Sequence, residues 1–172
     1  MDIKKYIHTI PDFPQKGVSF KDITPLLENA RAYGYAIREL AKPFQNKGIK
    51  KVVGIDARGF LLAAGVAYKL KAGISIVRKK GKLPRQVIQQ TYDLEYEKNI
   101  LEMHTDTIQP GERILIVDDV LATGGTLAAT IKLVKKMQGK IIGIALLIEL
   151  TYLDGRRKIK GYKRHTLLKL NI

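Results

Sequence analysis

The chain of 172 residues contains no cysteine, which excludes disulfides and thiolate-bound metal. Its three histidines, His8, His104 and His165, are too scattered to form a metal-ligand set and read as structural or surface residues. No apolar run approaches the roughly 20 residues of a membrane span. Met1-Asp2-Ile3-Lys4-Lys5 lacks the apolar segment of a secretion signal, so cytosol is the default expectation, with no membrane partner. The nucleotide-triphosphatase pattern G-x-x-x-x-G-K-[ST] is absent, as are Ser-His-Asp and Cys-His arrangements, internal repeats and low-complexity tracts. Acids are scarce as well: 16 Asp and Glu stand against 31 Lys and Arg, a net charge of +15. That surplus attracts polyanions, and a polyphosphate substrate, a nucleic-acid stripe and a merely solvated lysine-rich surface all account for it. What remains is an ordinary apolar fraction of 45% in a length suited to one domain with a sizeable core.

The most informative stretch is Arg113 to Thr126, R-I-L-I-V-D-D-V-L-A-T-G-G-T. Ile114 to Val117 form an apolar, largely β-branched run after the turn signal Pro110-Gly111, the pattern of a parallel strand covered on both faces. Asp118 and Asp119 follow, where the strand is expected to end, and open α/β sheets bind ligands at the carboxyl ends of strands. Alternation along a strand predicts that neighbouring carboxylates diverge, which favours holding hydroxyls or a hydrated metal over a shared-proton dyad. Next come Ala122, Thr123, Gly124, Gly125 and Thr126, then a helical pattern with Leu127, Ile131, Val134 and Met137 on one face. A Gly-rich turn opening a helix offers free N–H groups, a positive dipole end and two hydroxyls to a phosphate monoester.

The same logic recurs upstream. Lys51 to Ile55 reads as a strand, Asp56-Ala57-Arg58-Gly59 as a tight turn and Phe60 to Leu70 as a helix, so Arg58 and the turn amides are candidates for a second phosphate cradle, with a plain surface arginine as the alternative. Ile74 to Val77 is a short buried strand that exits into Arg78-Lys79-Lys80-Gly81-Lys82, a basic cluster suited to a bridging polyphosphate. Asn29 to Lys42 predicts a helix stopped by Pro43, Ile141 to Leu150 a buried strand, and Thr166 to Leu170 an edge strand. The opening segment to Pro25, broken by Pro11, Pro14 and Gly17, is expected to be irregular with at most a short helix before Ile10. Leu83 to Met103 lacks a sustained core pattern and is expected to be a functional lid or hairpin.

Several blocks together resemble the type I phosphoribosyltransferases: I-V-D-D-V-L-A-T-G-G-T matches their phosphoribosyl-pyrophosphate (PRPP) motif. Pro11-Asp12-Phe13-Pro14, Phe20 to Pro25, Ala57 to Phe60, Arg78 to Pro84 and Tyr92 to Tyr96 narrow the likeness to the adenine-using members, in order and over nearly the whole chain. The resemblance implies an α/β fold with a mostly parallel central sheet flanked by helices, an N-terminal hood over about 1–28 and a flexible lid over about 80–103, within one domain spanning 1–172. It implies adenine and PRPP giving AMP and pyrophosphate, with Mg²⁺ bridged mainly by substrate and water, and a homodimer. Asp118 and Asp119 then hold the ribose hydroxyls, and Ala122 to Thr126 the 5′-phosphate. Asp56, Ala57, Arg58, Arg78, Lys79 and Lys82 surround pyrophosphate, at a turn that in the family often carries a non-proline cis peptide, which the sequence does not reveal. Ser19, Phe20, Lys21 and Val120 bind the base; Lys21 stands where the family usually has arginine. Glu95 exchanges a proton with purine N7, Arg58 joins it in catalysis, and Tyr92 and Tyr96 line the lid. Two alternatives stay open: an oxopurine-using relative, and an inactive nucleic-acid-binding regulator, to which the basic run from Arg156 to Lys169 gives some weight.

Overall fold

A computed structural model describes residues 1–94 and 97–171, with side chains described for 1–92 and 99–171. A 3-10 turn over Ile3–Tyr6 precedes β1 (His8–Ile10), and a Pro-rich turn leads to β2 (Phe20–Asp22). These two strands pair antiparallel, with Ile10 opposite Phe20. Then come α1 (Thr24–Glu28) and α2 (Ala30–Ala41). Asn29 starts α2 by accepting the Ala32 N–H at 2.9 Å, an N-cap that satisfies a donor the helix itself leaves free.

The remaining strands and α-helices are β3 (Lys51–Ile55), α3 (Gly59–Leu70), β4 (Gly73–Lys79), β5 (Val87–Leu94), β6 (Glu97–His104), β7 (Arg113–Leu121), α4 (Gly125–Lys136), β8 (Lys140–Leu150) and β9 (Arg164–Leu170). They build a seven-stranded sheet in the order β5-β6-β4-β3-β7-β8-β9. From β4 to β9 every pair is parallel, while the β5–β6 hairpin joins antiparallel at one edge. This is the expected mostly parallel sheet, with β9 at the other edge.

Its two faces carry separate cores. Leu115 and Val117 turn towards α2 and α3, whereas Ile114 and Ile116 turn towards α4, so the apolar run in β7 is buried on both sides as its composition predicted. Each such side chain contributes about 1.5–3 kcal/mol on burial. On the α3 side contact is very close: a Cβ at Gly54 would stand 2.7 Å from the Cβ of Ala63. Only glycine lets α3 lie that near β3, and this fixes the turn between them.

One sequence expectation needs correction. β7 does not end at the aspartates but runs on to Leu121, because β8 continues beside it and pairs Val120 with Ile148 and Leu121 with Glu149. Residues 83–103, expected as a lid or hairpin, do contain a hairpin: β5 and β6 pair from Val87–His104 to Leu94–Glu97. Their core pattern was obscured because Glu102 lies among buried Leu101 and Met103, yet is itself buried and accepts from the Gly81 N–H at 2.9 Å and Gln89 Nε2 at 2.8 Å.

Candidate active site

The ends of β3, β4 and β7 bring the predicted residues to one edge of the sheet. Between β7 and α4 the chain turns through Ala122, Thr123 and Gly124, the last in the left-handed region at φ +79°. Asp118, Val120 and the run from Leu121 to Leu127 line a cleft of about 70 Å³. No side chain caps α4. Its first N–H groups are therefore left for a ligand, and with the helix dipole behind them they suit an anion.

Asp118 and Asp119 are both 8% exposed. Asp118 folds back on its own chain, and Oδ1 accepts the Asp119 N–H at 2.9 Å. The divergence that simple alternation predicts is thereby lost. Burial raises the Asp118 pKa well above 3.8; the charge of Asp119 and a side-chain hydrogen bond with it push the same way, against the Asp119 N–H and the Arg58 charge. The N-terminus of α3 closes one side: a Cβ at Gly59 would meet Asp118 Oδ1 at 2.7 Å. No local pattern marks Gly59 as part of this site, because the contact joins residues far apart in the chain.

Arg58 does not point to the basic cluster expected around pyrophosphate. Its Nη2 stands 2.6 Å from Asp119 Oδ2, a charge contact too bent to count as an aligned hydrogen bond. Its Nη1 donates to the Lys21 carbonyl at 2.8 Å, and the guanidinium carbon lies 4.6 Å from the centre of the Phe20 ring. One side chain thus ties β2 to β7, with the Asp119 carboxylate balancing its charge and the Phe20 face supporting it.

The second cradle assembles around Asp56, whose Oδ2 accepts Arg78 Nε at 3.1 Å and lies 3.7 Å from Lys82 Nζ. The Asp56–Ala57 peptide is cis. Arg78 also stands 5.8 Å from the Phe60 ring centre, and Lys79 is exposed at the end of β4. In the hood, Phe13 meets Phe20 edge-on at 5.0 Å. Lys21 is 3% exposed, and its ammonium donates to Ser19 Oγ at 3.0 Å and Thr9 Oγ1 at 3.1 Å. Burial lowers its pKa. Its side chain thus braces the two hood strands. Tyr92 packs on the α4-side core. Glu95 and Tyr96 lie outside the described residues.

Sequence reading also missed what stands behind the phosphate-sized turn. Gly155, buried after β8, touches Gly124 so closely that a Cβ on Gly124 would meet the Gly155 carbonyl oxygen at 2.4 Å. A glycine amid Asp154, Arg156 and Arg157 gave no local signal for that contact.

The strand-turn-helix cradle and the paired aspartates lie within residues 21–168, which match a family model described as the phosphoribosyl transferase domain. The chain belongs to that family. Solved structures narrow the placement. The adenine phosphoribosyltransferase of Rhodothermus marinus is 51% identical, with a TM-score of 0.95 over 98% of this chain and 96% of that one. The enzyme of Thermoanaerobacter pseudethanolicus is 47% identical, with a TM-score of 0.95 over 98% of both chains. The Giardia lamblia enzyme, complexed with 9-deazaadenine, is 37% identical, with a TM-score of 0.94 over 99% of this chain and 97% of that one. Within the family the chain stands with the adenine phosphoribosyltransferases.

Proposed function

We propose that this site makes AMP and pyrophosphate from adenine and PRPP in the following way. The observation that carries the reading is the adjacency of the uncapped α4 N-terminus to buried Asp118 and Asp119, a phosphate seat beside acceptors for sugar hydroxyls. Ala122, Thr123, Gly124, Gly125 and Thr126 take the 5′-phosphate; Asp118 and Asp119 take the ribose hydroxyls. Asp56, Ala57, Arg78, Lys79 and Lys82 receive pyrophosphate, and Arg58 joins them once a ribose hydroxyl replaces it at Asp119. As the C1–O bond loosens, these cations offset the charge gathering on the leaving group.

Adenine enters under the hood of residues 1–28, between Phe20 and Val120, with backbone groups of Ser19 and Lys21 reading its amino-bearing edge. N9 attacks the oxocarbenium-like carbon. Glu95, on the lid of residues 80–103 with Tyr92 and Tyr96, handles the N7 proton.

Mg²⁺ fits this set. Asp118 and Asp119 are buried carboxylates, hard oxygen donors, and Asp118 lines a cleft of phosphate size. Asp118 and Asp119 would be the residues beside such an ion, and its chemistry there would be to neutralise substrate charge. A cytosolic homodimer completes the proposal. Leu61, Tyr68 and Ile74, all exposed on α3 and β4, supply an apolar face for a second copy.

The test is AMP formation from adenine, PRPP and Mg²⁺, run beside hypoxanthine, guanine and xanthine and again with chelator. Turnover of adenine alone, lost on chelation, is expected. Preference for an oxopurine would overturn the hood assignment, and turnover in chelator would remove Mg²⁺. Sedimentation at micromolar concentration should show a dimer, and a monomer there rejects the α3 face.

A further inference from the structure

We propose that Gly155 is a positioning residue for the phosphate-binding turn, held in place by an ion pair between Arg156 and Glu149. The inference rests on reading Ala122 to Thr126 as the 5′-phosphate seat. Gly155 is not among the residues lining that cleft; it presses on the turn from outside. A Cβ built on it would stand 2.1 Å from the Ala122 carbonyl oxygen, 2.8 Å from the Gly124 nitrogen and 2.9 Å from the Thr123 carbonyl carbon. All three are backbone atoms, which cannot rotate aside as a side-chain tip would.

The two segments therefore meet main chain against main chain, glycine against glycine. Gly124 needs its glycine twice, for φ +79° and for the approach of the Gly155 carbonyl. The contact also has an anchor. Glu149, near the end of β8, is 6% exposed, and its Oε1 lies 3.5 Å from Arg156 Nε. Glu149 pairs in register with Leu121, directly before the turn. Arg156 also approaches Asp154 Oδ1 at 3.7 Å, and Ile159 at the far end of this segment is fully buried against the α4-side core. The segment is thus fixed twice just after Gly155, by charge at Arg156 and by apolar packing at Ile159, which holds Gly155 against the turn.

The turn has only backbone amides and short hydroxyls with which to hold a phosphate, so its precision comes from whatever stops it moving backwards. Water behind it would let the amides tilt; a packed main chain does not.

Gly155→Ala is the test, with ribose 5-phosphate and pyrophosphate as separate binding probes. A displacement of the turn by an ångström is expected to weaken ribose 5-phosphate binding and raise the PRPP KM by about 10- to 100-fold. Pyrophosphate affinity and the adenine KM should change less than about twofold, within the scatter of a distant surface change. Gly161→Ala is the control, since Gly161 lies in the same segment at φ +92° with nothing within 4 Å of a built Cβ. It should lower the melting temperature while leaving ribose 5-phosphate affinity intact. Glu149→Gln provides a second route that adds no atom to the turn and should give a weaker effect of the same kind. Equal loss of ribose 5-phosphate and pyrophosphate binding in Gly155→Ala would overturn the proposal, as would unchanged binding of both. If Gly155→Ala does not fold, unchanged ribose 5-phosphate affinity in Glu149→Gln overturns it. Thr126→Ala separates this from the underlying reading: if ribose 5-phosphate affinity ignores that change as well, the phosphate seat itself is misplaced.

Discussion

Asp118 should reduce the stability of the fold that holds it, and Asp118→Asn tests this directly. The carboxyl is buried beside a second carboxyl, and burial first, then Asp119, raises its pKa well above 3.8. An acid whose pKa is higher in the folded than in the unfolded chain binds its proton more tightly when native. Its effect on stability is therefore most favourable below about pH 3.8 and is progressively lost as pH rises through the folded pKa. Asparagine keeps the oxygen that accepts the Asp119 N–H at 2.9 Å but carries no charge. At pH 7.5 the variant should gain about 0.5–2 kcal/mol, the range typical when a functional group is exchanged for a neutral one. For a domain of this size that is about 1–8 °C in Tm. The gain should shrink towards pH 4, where the wild-type group is itself neutral. Calorimetry from pH 4 to 8 reads this, and kcat/KM for PRPP should fall about 10- to 150-fold, the loss of a charged hydrogen bond to the sugar. A variant less stable at pH 7.5, or a gain indifferent to pH, would refute the reasoning.

Two further substitutions probe the base. Phe20→Ala should raise the adenine KM by about 5- to 150-fold through lost stacking, leaving the pyrophosphate Kd nearly unchanged; steady-state kinetics with each substrate varied in turn checks it. Glu95→Gln should lower kcat by about 10²- to 10⁴-fold with PRPP affinity intact, and equal losses in the two would reject the N7 assignment.

The sheet was legible because its central strands carry unbroken apolar runs, such as Ile114 to Val117, and the PRPP turn because its chemistry is contiguous from Asp118 to Thr126. The hairpin was less so: buried Glu102 interrupts the alternation, and only its partners Gly81 and Gln89 explain why it is there. Arg58 shows a second kind of limit. Its position in the turn after β3 was readable, but its direction is decided by Asp119, Lys21 and Phe20, which come from distant parts of the chain. Gly59 and Gly155 carry no side chain to read at all. Their importance lies in what stands 2.7 Å and 2.1 Å from a side chain they lack.

The strand order β5-β6-β4-β3-β7-β8-β9 has a consequence for the life of the chain. β3 lies against β7, with Val53 opposite Ile116, so the phosphate turn and the Asp56 turn adjoin only after more than sixty intervening residues have been gathered in. Such pairings are slow to form and bring little reward until the loop between them closes. Gly155 must then arrive from β8 to complete the back of the seat. Substrate affinity should therefore appear late in refolding and nearly all at once. A nascent or truncated chain ending before Gly155 would carry every residue named for the sugar and its phosphates, yet lack the wall that keeps them in position.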